Sequence, residues 1–453
     1  MPKNPRWNRV PSPIERASPI DQMELAVDVG PLPLQVGAIL MLAAGSPSYL
    51  FQLRAAINER IVAVPRLRQR LVQTSFGCGR PVWVDDPNFE VDRHVHRVTC
   101  PTPGDEQALL DIAARIVTDP LPQDRPLWSA TLVSELSDDT CALVVVFHHA
   151  LSDGMGGLAM LRHLGDGMQK SAPPGFPRPR PGWLELAFDA QREHLAVLSR
   201  TRNLRPRLRA ARSELAPKGT DRAPRCSLLC PVGNKRRLGV ARADLARVRA
   251  VAKMHGGGIP DVVLDAVTGA LRELLESRGE RISSVVVGVA VSGRLSATVG
   301  RLGNQVGMML LELPLTGASF PRLDATIRAR SRRRQTQSGS SAFLLAPLFR
   351  VLRSFGLLRL IVNHQRRVNV FFTYLPGPRR PVKLLGTAIT EVIPISVAPG
   401  NVSVVFTAIS YRGQLVVNAS ADSDAHPDLS VLIAALQNEL NRLTLEQDPK
   451  SSP

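Results

Sequence analysis

The chain is poor in aromatic residues and in long apolar runs, and each shortage excludes a class of protein. Aromatic side chains make up only 4% of its 453 residues, few of them stand among basic runs, and no zinc-finger, RNA-recognition or Walker pattern is present. Nucleic acid is therefore not an expected partner. No apolar run approaches the roughly eighteen residues that cross a bilayer, and prolines and charges interrupt the N-terminus where a signal peptide would lie. We expect a cytoplasmic protein.

Cysteine is scarce as well. The five cysteines are Cys78, Cys100, Cys141, Cys226 and Cys230. They form no CxxC pair and no His/Cys spacing that suits zinc, so we expect reduced, mostly structural thiols and no metal site.

Acidic residues are the third shortage, with 39 Asp and Glu against 57 Lys and Arg, which gives a net charge of +18. The excess is concentrated in two segments. Residues 170–237 hold sixteen basic and five acidic residues, and residues 321–367 hold eleven arginines and one aspartate. Charge gathered in this way favours an anionic partner, such as a membrane or lipid-droplet surface or the phosphates of a cofactor.

The order of predicted elements indicates two mixed α/β halves joined by an irregular crossover. Strands are predicted at 34–42, 81–86, 89–98, 129–136, 141–149, 282–292, 303–315, 368–378, 388–396, 402–411 and 414–422. Helices are predicted at 47–60, 105–117, 183–200, 241–256, 260–279 and 427–443. Proline and arginine interrupt the pattern in 170–237. We therefore divide the chain into an N-terminal half (1–169), a crossover (170–237) and a C-terminal half (238–453).

The stretch VVVFHHALSDGMGG, residues 144–157, carries the candidate chemistry. Successive side chains of a strand face opposite ways, so one of His148 and His149 is expected to be packed and the other available. Asp153 is placed to cap a following helix, and Gly154 lets a substrate approach the backbone closely. A buried histidine and a capping aspartate are one interpretation. The other is a neutral imidazole that takes a hydroxyl proton as a general base.

HHALSDG fits the HHxxxDG motif of the acyl-CoA-dependent acyltransferase superfamily, which includes chloramphenicol acetyltransferase and the condensation domains of peptide synthetases. Nearly the whole chain resembles one branch, the bacterial wax ester synthase/diacylglycerol acyltransferase family. The matching blocks, in family order, are SPIDQMEL (18–25), PLQVGAILML (33–42), VPRLRQRLV (64–72), PVWVDD (81–86), RPLW (125–128), HHALSDGMGG (148–157), DVVLDAVTGALR (261–272), GNQVGMMLLELPL (303–315), LPGP (375–378) and SYRGQLVVNASAD (410–422).

The resemblance implies two chloramphenicol-acetyltransferase-like α/β halves, a pseudo-dimer with a tunnel between them. It implies long-chain acyl transfer from acyl-CoA, as co-substrate and without a cofactor, to diacylglycerol or a long-chain alcohol.

The resemblance also assigns roles to single residues. His149 corresponds to the catalytic base and His148 to its structural partner. Asp153 corresponds to a residue that makes a stabilising salt bridge, with Arg68 or Arg70 as its partner. Asp261 and Asn304 fall in the matching blocks, and Arg294 ends VSGR (291–294), which stands near the family's Pro-Val-Ser-x-Arg; all three are expected to contact the substrate.

Two departures from the family pattern leave other functions open. Pro260 stands where relatives have Asn before Asp261, and Thr373-Tyr374 stands where they have Ser-Asn. A catalytically weak paralogue that binds lipid or acyl-CoA is one alternative, and an acyltransferase with another acceptor alcohol is a second.

The segment SAFLLAPLFRVLRSFGLLRLIVNHQRR (341–367) mixes large apolar residues with arginines. This composition is typical of a helix at a lipid interface or at the entry for an apolar substrate, and also of a core helix whose arginines extend to solvent. We expect a peripheral membrane or lipid-droplet protein, with arginines of the basic segments available for the CoA phosphates.

Overall fold

The computed structural model describes residues 14–43, 49–137, 140–167, 175–199, 222–292, 303–304, 306–334, 348–349 and 351–445. Arg294 and the basic stretch 201–212 lie outside the described residues, as do 341–347 of the apolar and basic segment.

The first half is built on a six-stranded sheet. Its strands from this half are β1 (Gln35–Leu42), β4 (Val95–Thr99), β5 (Trp128–Ser134) and β6 (Cys141–His148), and β2 (Gln69–Val72) pairs with β3 (Val82–Asp85) in a separate small sheet. The helices are α1 (Pro19–Val27), α2 (Tyr49–Arg60), α3 (Glu106–Thr118) and α4 (Gly154–Leu164). The predicted β5–β6 hairpin is confirmed as an antiparallel pair. In β6 every described side chain except Val145 is buried, which explains its continuous β-branched run.

The second half repeats the plan with another six-stranded sheet. In sheet order its strands are β7 (Arg236–Asp244), β14 (Gln414–Asp422), β13 (Val404–Tyr411), β10 (Val370–Pro376), β8 (Ser284–Ser292) and β9 (Val306–Pro314). Its helices are α6 (Leu245–Met254), α7 (Ile259–Ser277), α8 (Ser319–Arg334), α9 (Leu357–Asn363) and α10 (Leu429–Leu445), while α5 (Trp183–Ser199) belongs to the crossover. Helices α7 and α10 pack on each other and form the second core with this sheet.

The C-terminal part of the chain contributes two strands to the first sheet. The remaining strands, β11 (Lys383–Leu384) and β12 (Thr387–Ser396), come from the C-terminal part of the chain but complete the first sheet, in the order β11-β12-β1-β6-β5-β4. β12 runs antiparallel to β1, with Ile39 opposite Ile393. Across the interface Asn418 of the second sheet donates to the Pro394 carbonyl of β12 at 2.8 Å. The division at residue 238 stays a prediction, and in space the halves interlock.

Two sequence predictions are wrong in detail. The predicted helix 241–256 begins only at Leu245, because residues 241–244 continue β7 and pair with β14. Asp244 ends the strand and caps the helix by accepting from the Arg247 amide. The predicted strand 89–98 opens with a helical turn at 91–93, and regular pairing covers only β4. In both places tertiary pairing decides the structure of a segment whose local pattern was ambiguous.

Candidate active site

An apolar cavity of about 140 Å³ lies between the two halves. Strands β12, β1 and β6 of the first sheet line it together with α4, and β10 and β13 of the second sheet complete the wall. Most lining side chains are aliphatic, and the polar ones besides the Trp128 indole are His149, Thr373, Ser396 and Thr407. An apolar cavity with a few polar groups is typical of a binding site for a small molecule.

His148 is the packed histidine of the pair. Its side chain is only 4% exposed, and its Nδ1 accepts from the Ala150 amide at 3.0 Å. Nε2 therefore carries the proton and faces Asp28 Oδ2 at 3.2 Å. Burial alone would raise the pKa of Asp28, but the hydrogen bond from His148 holds that pKa below its usual value. His148 is thus held in one tautomer by contacts at both nitrogens.

His149 is the available histidine. It follows the last residue of β6, keeps 21% of its side chain exposed and lines the cavity. Its Nδ1 is buried and has no hydrogen-bond partner among the described residues, and Glu24 Oε1 lies 3.8 Å away. The predicted division of the two histidines into one packed and one available side chain is confirmed.

Asp153 and Gly154 begin α4 beside the histidines. Asp153 Oδ1 accepts from the Gly156 amide at 2.8 Å, which confirms the predicted helix cap. A Cβ at Gly154 would lie 2.9 Å from Leu375 Cδ2 on β10. Glycine here therefore lets the first half approach a strand of the second half at the cavity wall.

Asn304 links the second half to the histidine. Its Nδ2 donates to the His149 carbonyl at 2.8 Å and to Asp21 Oδ1 at 2.9 Å. Asp21 is buried in α1, which raises the pKa of its carboxyl. The sequence suggested substrate contact for Asn304, whereas its described hydrogen bonds hold α1 and the backbone of His149.

Arg68 and Arg70 make their described contacts elsewhere than at Asp153. The Arg68 guanidinium lies over the Phe176 ring, 3.7 Å from its centroid. Arg70 Nη1 donates to the Asp124 carbonyl at 3.2 Å. The salt bridge from either arginine to Asp153 stays a prediction.

Asp261 lines a second cavity, on the other side of β10. Its Oδ2 accepts from the Gly258 amide at 2.7 Å and from Arg330 Nη1 at 2.9 Å, while Oδ1 is buried without a partner among the described residues. Pro260 occupies the first turn of α7, where its missing N–H costs nothing. Tyr374 shares this cavity, and its hydroxyl lies 2.9 Å from Ser410 Oγ. Asp261 is not among the residues that line the His149 cavity, so its substrate role also stays a prediction.

Sequence reasoning missed Glu24 and Asp28, which α1 presents to the histidines. They stand four residues apart, the spacing that puts side chains on one face of a helix. That spacing was a usable signal, but nothing local indicated that the face would meet a strand more than a hundred residues away.

Comparison with known protein families gives two matches that together cover most of the chain. Residues 17–263 match the model of the wax ester synthase/diacylglycerol acyltransferase catalytic domain. Residues 302–444 match the model of the C-terminal domain of the same proteins.

Individual proteins agree with the family match. The chain is 29% identical to a probable diacylglycerol O-acyltransferase of Mycobacterium tuberculosis strain H37Rv, over 90% of this chain and 91% of the relative. The wax ester synthase/diacylglycerol acyltransferase of Marinobacter aquaeolei VT8 superposes with a TM-score of 0.68 at 24% identity, over 95% of this chain and 99% of that one. The first condensation domain of the CDA synthetase gives a TM-score of 0.63 at 19% identity, over 97% and 98% of the two chains. The expected fold is confirmed.

Proposed function

The chain belongs to the wax ester synthase/diacylglycerol acyltransferase family, and from this premise we propose that it transfers a long-chain acyl group from acyl-CoA to an acceptor hydroxyl. The acceptor is diacylglycerol or a long-chain alcohol, and His149 is the general base. The observation that carries the proposal is the position of His149, a partly exposed imidazole in the wall of an apolar cavity between the halves.

The proposed reaction is a direct transfer. His149 Nε2 takes the proton of the acceptor hydroxyl while the oxygen attacks the thioester carbonyl carbon. The tetrahedral intermediate then collapses, the carbon–sulfur bond breaks, and the CoA thiolate takes the proton back from the imidazolium. The hydroxyls of Thr373 and Ser396 line the same cavity and are candidate donors to the oxyanion.

A lipid surface is the second part of the proposal. The apolar and basic segment exposes large side chains on consecutive turns, among them Leu348, Val351, Phe355, Leu360 and Ile361. Its helix α9 packs on α1, the helix that faces both histidines. Among the described residues, no helix is both long and apolar enough to span a bilayer. We propose that this surface rests on anionic lipid through its arginines and apolar residues, which brings the cavity close to the source of a neutral-lipid acceptor.

The first test measures CoA release from palmitoyl-CoA with dioleoylglycerol or hexadecanol as acceptor. Acceptor-dependent release is expected in the wild type, and His149→Ala should lower it by about 10²- to 10⁴-fold. His96→Ala is the matched control, since His96 is exposed on β4 and is not among the residues that line the cavity.

Full activity in folded His149→Ala would refute the assignment of the base. If the wild type binds acyl-CoA but releases none with any acceptor, the chain is a lipid-binding paralogue. Release with only a different alcohol would point to the alternative acceptor class.

A further inference from the structure

We propose that Glu24 is a positioning residue for His149: its carboxylate accepts a hydrogen bond from Nδ1–H, leaves Nε2 unprotonated toward the cavity, and stabilises the imidazolium formed during transfer. The inference rests on the function proposed above and adds a residue to its site. It begins from the buried Nδ1 of His149, which has no hydrogen-bond partner among the described residues. Leaving a buried polar nitrogen unpaired is costly, so a partner at this position is expected.

Glu24 is the acidic group placed to be that partner. Its Oε1 lies 3.8 Å from Nδ1, within ion-pair range and about 1 Å beyond a normal hydrogen bond. The Glu24 side chain is only 13% exposed, so solvent screens the pair weakly. The proposed hydrogen bond requires that a rotation of one of the two side chains closes the remaining distance of about 1 Å.

The backbone around the pair is already held. Ser18 and Asp21 form a capping box that fixes the start of α1. Asn304 Nδ2 donates both to Asp21 and to the His149 carbonyl, so one amide ties the helix that carries Glu24 to the histidine it faces. The separation of Glu24 and His149 is therefore set by the fold and not by two free side chains.

The neighbouring histidine, His148, also has a carboxylate beside one of its ring nitrogens. Asp28, one helical turn beyond Glu24, faces Nε2 of His148, whose Nδ1 accepts from a backbone amide. At His149 the carboxylate stands at Nδ1 instead. The two rings would therefore carry their protons on opposite nitrogens, and only the proposed His149 tautomer leaves Nε2 free to act as a base.

Several charged groups surround the pair, and the test must allow for them. Asp21 and Asp28 lie on the same helix and His148 lies beside His149. From other elements, Arg66 acts on Asp21 and Arg353 acts on Asp28. Since these groups stay in place when Glu24 alone is changed, a difference between variants at Glu24 reports on that carboxylate.

The kinetic test compares pH profiles of kcat/KM for CoA release from palmitoyl-CoA with dioleoylglycerol. Glu24→Gln should lower kcat at least about tenfold, with the KM for palmitoyl-CoA unchanged. Without the carboxylate the imidazolium is less stable, so the acid limb of the profile should move about one pH unit lower. Glu24→Asp keeps the charge and should restore most of the wild-type acid limb. Glu90→Gln, which removes an exposed carboxylate of the same half, should match the wild type.

A second measurement needs no turnover. Ring-¹⁵N spectra, with the His149 signals identified by their loss in His149→Ala, report which nitrogen carries the proton. The wild type should be the Nδ1–H tautomer, and Glu24→Leu should shift the ring toward Nε2–H. An unchanged tautomer, or a wild-type pH profile in Glu24→Gln, would overturn the proposal. An activity loss that leaves the acid limb in place and that Glu24→Asp does not repair would also overturn it, since that is the signature of lost packing. If the wild type releases no CoA, the proposed function fails, and the spectra still decide the role of Glu24.

Discussion

The residues beside the cavity have two separate functions: one lines the cavity, and the others hold it in position. His149 meets the cavity, whereas His148, Asn304 and Asp28 hold the turn that presents it. The positioning contacts are hydrogen bonds of 2.8 to 3.2 Å between buried or half-buried groups, so their loss should be visible both in stability and in rate. Measuring both unfolding free energy and rate distinguishes a residue that positions the site from a residue that takes part in the reaction.

Asn304→Ala should reduce activity without touching the cavity wall. The change removes donors to the His149 carbonyl and to buried Asp21, which should cost about 1–3 kcal/mol of unfolding free energy. A displaced imidazole should lower kcat at least about tenfold. Urea unfolding and CoA release measure the two effects, with exposed Asn88→Ala as the control. A variant with wild-type stability and kcat would show that these bonds do not matter.

His426 should make stability fall in mild acid. It is fully buried, its Nε2 lies 2.8 Å from Ser403 Oγ, and the Arg278 guanidinium faces its Nδ1 at 3.1 Å. Burial, with the neighbouring guanidinium, lowers the pKa of His426 from 6.5 to about 4. Between these values the unfolded state binds the proton and the folded state does not. Stability is therefore lost as the pH falls from about 6.5 to about 4, by up to about 3 kcal/mol from this group.

The measurement is urea unfolding of wild type and His426→Gln between pH 7 and pH 5. The variant should be less stable at pH 7, because it loses its buried partners. Its stability should depend on pH less steeply, by about 1 kcal/mol per pH unit. His364→Gln should keep the wild-type slope, and an equal slope in His426→Gln would contradict the prediction.

At the scale of secondary-structure elements, the start of α4 packs against β10. This contact sets how closely the two halves approach each other at the cavity. Gly154 leaves room for Leu375, and both residues line the cavity. A larger side chain at position 154 must displace Leu375. Because the Leu375 side chain can change its rotamer, the loss of stability is limited. The contact is therefore suited to a compensation test.

Gly154→Val should lower the unfolding free energy by about 1–3 kcal/mol through overpacking, and it should lower kcat/KM for palmitoyl-CoA because it displaces Leu375 in the cavity wall. Adding Leu375→Ala should return part of that loss, since it vacates the space that valine enters. Gly182→Val is the control, because Gly182 has no atom nearer than 3.9 Å to an added Cβ. If the double variant is no better than Gly154→Val, the two residues do not share the space.

For the molecule as a whole, net charge and exposed apolar surface are the quantities that bear on the proposed binding to a lipid surface. The net charge is +18, and residues 321–367 carry much of the excess. The same stretch exposes Phe355, 74% accessible, two residues before α9, the helix that packs on α1. Together they favour an oriented approach to an anionic surface.

Sedimentation with phosphatidylglycerol-containing vesicles should capture the wild type at low salt, and capture should weaken as salt is raised. Phe355→Ser should reduce capture several-fold, since it removes apolar area that the interface would bury. Phe51→Ser is the control, because Phe51 on α2 is equally exposed at 78%. Equal capture of both variants would place the lipid-binding surface elsewhere.

Local patterns predicted much of the fold. The alternation in β6, the long apolar face of α7 and the turn before α4 all have physical signatures within a short window, and the structure has those elements. The predictions failed where a segment pairs with a strand that is distant in the sequence. Residues 241–244 are strand because β14 pairs with them, and no window around Ala241 contains that information.

From the sequence alone we could predict the family, the class of fold, the helix cap at Asp153 and the unequal burial of His148 and His149. These follow from short-range periodicity and from motifs in order along the chain. The tertiary structure alone decided that β12 completes the first sheet, that Asn304 holds the backbone of His149, and that Glu24 faces its ring. Those contacts join segments more than a hundred residues apart, and they form only when the two halves pack together, so no short stretch of the sequence contains the information that sets them.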